Sequence, residues 1–81
     1  MKDQEIETRI EQLVEEERHL REQLASGEIS AAEEHARLAD AEGALDRMWD
    51  LLRQRRALRE FDVDPDQAEP RPVDEVEQYL Q

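Results

Sequence analysis

"ASGEIS", Ala25 to Ser30, is the stretch on which the fold turns. Gly27 can take the left-handed backbone conformation that closes a helix, and Ser30 with Glu33 three residues later has the spacing of an N-terminal capping box. The chain is therefore expected to leave one helix and enter the next within a few residues. So short a connection forces the two helices to lie antiparallel.

Upstream of this turn, Ile6, Ile10, Leu13, Leu20 and Leu24 recur at steps of three, four and seven, the seam of a coiled-coil-like helix. Glu17 occupies the seam position where an apolar residue is due and is expected to sit at its edge, reaching water. Val14 widens the stripe. Asp3 and Glu5 suit the positive end of a helix dipole, so the first helix is predicted over Asp3 to Ala25. Downstream, Leu38, Ala41, Leu45, Met48 and Leu52 share one seam, broadened by Trp49. No proline interrupts Ala31 to Glu60, which reads as one long helix. Folding the two about the turn pairs Leu24 with Ala31, Glu17 with Leu38, Ile10 with Leu45, and Ile6 with Met48 or Trp49.

Beyond Phe61, Pro65, Pro70 and Pro72 make the chain semi-rigid, and Asp64 and Gln67 flank Pro65 at the spacing of a short capped turn. The final "PVDEVEQYLQ" places Val76 and Leu80 four apart, with Val73 and Tyr79 nearby. That is enough for a two-turn amphipathic helix, which is stable only when docked. The reading is thus an all-α protein: an antiparallel helical hairpin over residues 1–61, and an acidic, proline-containing tail over 62–81 folded back on it. The tail's Asp62, Asp64, Asp66 or Glu69 is expected near the arginines of the second helix, and Val76, Tyr79 and Leu80 over Leu51, Leu52 and Leu58.

Composition bounds what such a chain can do. Its 81 residues are 37% hydrophobic and 42% charged, with a formal net charge of -12 and one each of Trp, Tyr and Phe. A thick core is out of reach at this size, so stability is modest or shared, and dimerisation into a four-helix bundle is the simplest way to cover the apolar stripes. There is no cysteine, which fits a reducing compartment. Lys2 and Asp3 lead straight into an amphipathic segment and no run is apolar enough to span a bilayer, so neither a leader nor a membrane is expected and the cytoplasm is the default.

Charge is unevenly distributed. Residues 51–60 carry four arginines against one glutamate, net +3, and residues 61–81 seven acids against one arginine, net -6. The basic block, within "WDLLRQRRALRE", makes Trp49, Leu52, Arg53, Arg55, Arg56 and Arg59 the candidate interaction residues. Guanidinium groups suit phosphate, but acidic residues flank the patch on both sides, and four cations form a small footprint for nucleic acid. Pairing with Asp3, Glu5, Glu7 and the acidic tail is the more economical reading. His19 and Glu16 have the E-x-x-H spacing of bundle metal sites, but the inward face belongs to Glu17 and Leu20, and His35 has only Ala32 where a carboxylate would be needed, so no metal site is assigned. No nucleophile stands beside a base and no phosphate loop occurs. The sequence predicts no catalytic residues, no cofactor and no enzymatic activity.

The stretches "QEIETRIEQLVEEERHLREQL", Gln4 to Leu24, and "LDRMWDLLRQRRALREFDVDPDQAEPRPVDEVEQYLQ", Leu45 to Gln81, resemble a small actinobacterial family catalogued as domain of unknown function 2630. The most specific residues are Trp49 to Arg56, the "DPD" of Asp64 to Asp66, and Arg71 with Pro72. Met48 departs from the small polar or cysteine residue of that pattern. The resemblance implies a compact, mostly helical cytoplasmic protein and carries no activity or cofactor with it. The expected function is a non-enzymatic protein-interaction or scaffold module, partnered by itself and by another cytoplasmic protein; the alternative is a small nucleic-acid-associated regulator using the basic end of the second helix.

Overall fold

The computed structural model describes residues 1–72 together with Asp74 and Val76. Helix α1 spans Asp3–Ala25 and helix α2 spans Ala31–Glu60, the bounds that periodicity and capping predict, and a 3-10 turn follows at Pro65–Gln67. No strand occurs among the described residues.

Each terminus has a chemical cause. At the start of α1 the Lys2 backbone N–H donates to Glu5 Oε1 at 3.0 Å. At its end Gly27 takes φ +78, its N–H donates to the Leu24 carbonyl and the Glu28 N–H to that of Gln23, which satisfies two carbonyls that the last turn leaves open. Ser30 Oγ then accepts from the Glu33 N–H at 3.1 Å and starts α2. The far end of α2 closes in the same way, with Asp62 N–H donating to Arg59 O and Val63 N–H to Leu58 O. Here the left-handed position is filled by Asp62, at φ 55, so the helix ends at Glu60, five residues before the first proline.

α1 and α2 pack along their predicted seams, to which the core adds Leu51. Ile6, Ile10, Leu51 and Leu52 form the main buried cluster, with Leu45, Met48 and Ala68 against it, while Leu13, Leu20 and Ala41 are buried nearer the turn. Burying side chains of this size contributes about 1.5–3 kcal/mol each. Of the two residues that the register offers to Ile6, Met48 joins the cluster and Trp49 remains 49% exposed. Glu17, expected to reach water, is instead mostly covered, its side chain 13% exposed and its carboxylate 3.4 Å from Arg21 Nη2.

After Asp62 the chain reverses. Asp64 Oδ1 accepts from the Asp66 N–H, and the 3-10 turn lays Ala68 on the core. The Glu69 carbonyl then accepts from Gln54, and that of Arg71 from Arg47 at 3.0 Å, so the segment runs back along α2 towards its middle. Val76, whose N–H donates to the Pro72 carbonyl, is fully buried. The expected short C-terminal helix, with Val73, Tyr79 and Leu80, lies largely outside the described residues. The molecule measures 51 × 25 × 14 Å. It is an elongated slab in which α2 packs against both α1 and the returning segment.

Candidate interaction surface

A helix turns by about 100° per residue, so the residues of α2 sort by where they face. Ala41, Leu45, Met48, Leu52, Arg55 and Arg59 look towards α1. Gly43, Arg47, Asp50 and Gln54 lie on roughly the opposite side, facing the returning segment; Gly43 and Asp50 are buried there and Arg47 and Gln54 partly so. Trp49, Arg53 and Arg56 point away from both, at spacings of four and three, and all three are exposed.

The six candidate residues therefore divide. Leu52 belongs to the core. Arg55, only 5% exposed, donates through Nε to Asp3 Oδ1 at 2.5 Å and through Nη1 to Asp66 Oδ1 at 2.9 Å. Arg59 Nη2 donates to the other Asp3 oxygen at 2.7 Å, and Lys2 Nζ to Asp66 Oδ2 at 3.1 Å. One cluster of charges thus ties the start of α1, the end of α2 and the 3-10 turn together. The Arg59 and Arg55 hydrogen bonds lower the Asp3 pKa to about 2, and those of Arg55 and then Lys2 hold Asp66 below the usual aspartate range.

A second cluster was not foreseen from the sequence. Asp50 is fully buried, and Arg71 grips it with both arms of its guanidinium group, Nε to Oδ2 at 2.8 Å and Nη2 to Oδ1. Gln54 Nε2 donates to the same Oδ2 at 2.9 Å, and Arg53 approaches to 3.9 Å. These contacts, Arg71 foremost, outweigh the cost of removing the carboxylate from water and depress its pKa. The sequence signals the need but not the pairing: an aspartate wedged between Trp49 and Leu51 in the densest apolar stretch needs a cation, and Arg71 is the one arginine of the tail. With both clusters formed, no buried side-chain nitrogen or oxygen among the described residues lacks a hydrogen-bond partner.

Trp49, Arg53 and Arg56 remain outward. Arg56 has no ion pair among the described residues, and Arg53 has only the distant contact with an Asp50 already held by Arg71. On the other broad side, a groove of about 530 Å³ runs between α1 and α2, lined by Leu13, Leu20, Ala41 and Ala44 with Arg9 and Asp40 at its margins. Glu16 and His19 also border it, but no group of three metal-ligating side chains occurs among the described residues. No helix is long and apolar enough to cross a membrane among these residues.

The architecture is that of an all-helical hairpin stapled by a returning segment through two charge clusters. Residues 2–81 match the family described as protein of unknown function (DUF2630), and the chain belongs to that family. It is 52% identical over 77 residues to the uncharacterized protein Rv0898c of Mycobacterium tuberculosis and to the uncharacterized protein Mb0922c of Mycobacterium bovis, an alignment that covers 95% of this chain and 88% of each relative. No solved structure matches.

Proposed function

We propose that this protein is a non-enzymatic, cytoplasmic interaction module whose working surface is the outward stripe of α2 around Trp49. The observation that carries this reading is the half-exposed indole beside Arg53 and Arg56, in a helix whose other two arginines of this region, Arg55 and Arg59, are committed to holding the fold. Tryptophan and arginine are the side chains that most often dominate binding energy at protein interfaces, and exposing an indole to water has no benefit for the fold itself. The grooves on the described surface are wide and open, unlike the desolvated pocket that acid-base chemistry requires.

The alternative, a nucleic-acid regulator acting through the basic end of α2, draws on fewer free cations than the sequence promised. Arg55 and Arg59 spend their donors on Asp3 and Asp66, which leaves Arg53 and Arg56 against a net charge of -12. Affinity capture separates the two readings. Bait carrying the native sequence is compared with Trp49→Ala and with Arg53→Glu/Arg56→Glu, in the presence and absence of nuclease. Protein partners that survive nuclease and disappear with Trp49→Ala support the module; partners released by nuclease or by modest salt, the mark of counterion release from phosphate, support the alternative.

A further inference from the structure

The outward stripe of α2 does not end at its arginines. Continuing towards the N-terminus at the same spacing, Asp46 and Glu42 precede Trp49 by three and seven residues, so the stripe reads Glu42, Asp46, Trp49, Arg53, Arg56 at steps of four, three, four and three. Glu42, Trp49, Arg53 and Arg56 are exposed and Asp46 partly so. Neither acid has an ion pair among the described residues. The pattern is two acids, one aromatic residue and two bases, net neutral in a chain of net charge -12.

We propose that this stripe is the docking site for a second copy of the chain, placed antiparallel about a two-fold axis at Trp49. The inference rests on reading this side as an interaction surface and specifies its occupant. A two-fold axis at Trp49 sets residue numbers that sum to about 98 opposite one another, which places Arg56 against the partner's Glu42, Arg53 against the partner's Asp46, and the two indoles at the centre. Each pair then occurs twice. A parallel arrangement would set acid on acid and base on base. A uniformly acidic or uniformly basic partner would be repelled by one half of the stripe, whereas a second copy matches both halves. No described element covers the stripe, since Glu42, Trp49, Arg53 and Arg56 are exposed, so two copies joined on that side can bring their α2 helices to the 8–10 Å typical of packed helices and yield four helices in two layers. The paired tryptophans supply the apolar centre, with the partner's Arg53 within reach of the ring face.

Charge exchange tests the occupant and the surface, and a cysteine pair tests the register. Four samples are compared by sedimentation equilibrium, with far-UV circular dichroism confirming that each is folded: the native chain, Arg53→Glu/Arg56→Glu, Glu42→Arg/Asp46→Arg, and an equimolar mixture of the two variants. The native chain is expected to dimerise. Each variant alone presents like charges across the axis and should dimerise at least about tenfold more weakly, while the mixture, which restores every pair, should regain a 1:1 heterodimer. A native chain that is monomeric up to hundreds of micromolar overturns the second copy as occupant and leaves the interaction surface to be judged by the capture experiment. A native dimer indifferent to either double substitution places the contact elsewhere and overturns the stripe. Weakened variants that do not rescue one another overturn the stripe-to-stripe contact. Because the chain has no cysteine, single Asp46→Cys and Arg53→Cys variants read the register: oxidation of their mixture should give the mixed disulfide in preference to either homodimer, and a preference for the homodimers overturns the antiparallel register.

Discussion

Arg55 and Arg59 lie one helical turn apart and share the carboxylate of Asp3, yet removing them should have different consequences. Arg55 is enclosed and joins three segments, so Arg55→Ala loses both its ion pairs and its packing. Because Asp3 and Asp66 keep some access to water and can be rehydrated, the cost falls below that of a fully buried pair, at about 2 kcal/mol. Arg59 is substantially exposed, and Arg59→Ala should cost less than about 1 kcal/mol. Arg71→Ala should be the most damaging of the three, at about 3–5 kcal/mol, since it leaves the enclosed Asp50 without its main cation. Thermal unfolding reads this order directly, at roughly 4–8 °C per kcal/mol for a domain of this size; equal losses for Arg59 and Arg71 would contradict it. The two left-handed positions make a paired prediction. Gly27→Ala places a side chain at φ +78 and should destabilise by about 1 kcal/mol, whereas Asp62→Gly relieves a non-glycine at φ 55 and should raise the melting temperature by a few degrees.

At the scale of elements, the question is what holds the returning segment to α2. Ala68 and Val76 supply apolar contact, Arg71 the buried ion pair, and the carbonyls of Glu69 and Arg71 accept from Gln54 and Arg47. Deleting residues 71–81 removes most of this and exposes Asp50 and the buried Gly43 side of α2. A fall in melting temperature of roughly 10 °C or more is expected, larger than that from reversing the charges of Asp64 and Glu69. Equal melting temperatures for full-length and shortened chains would show that the segment adds nothing to the hairpin. The hairpin was legible in the sequence to the residue, because Gly27, Ser30 and the seven-residue period act locally. The left-handed conformation of Asp62 that closes α2 after Glu60 was not, since aspartate tolerates that conformation without requiring it and Pro65 is the more obvious breaker. The Asp50–Arg71 pair was hidden for another reason: it joins residues 21 apart across a reversal whose direction no local pattern specifies. Trp49 reads as a core residue by hydropathy, and only its angular position, one residue beyond Met48, sends it to the broad side of the slab.

The whole molecule depends on acidic side chains in two opposed ways, and pH distinguishes them. Its net charge of -12 at neutral pH makes the compact state repel itself, while Asp3, Asp50 and Asp66 bind the segments together only when ionised. All three have pKa values depressed in the folded state, Asp3 to about 2 from an ordinary 3.8. An unfolded chain therefore takes up protons on these groups at higher pH than the folded one, so their stabilisation is complete above about pH 4 and is lost as pH falls towards 2. The melting temperature should hold or rise slightly as the pH is lowered from 7 and surface repulsion fades, then fall steeply below about pH 4. Asp3→Asn isolates one contribution: it should melt lower than the native chain at pH 6 and show a shallower fall between pH 4 and 2, because the group whose protonation drives part of that fall is gone. Thermal scans across this range at fixed ionic strength measure both slopes. A native chain with a flat profile below pH 4, or an Asp3→Asn profile parallel to the native one, would mean that the charge cluster at the open end of the hairpin does not contribute to holding it closed.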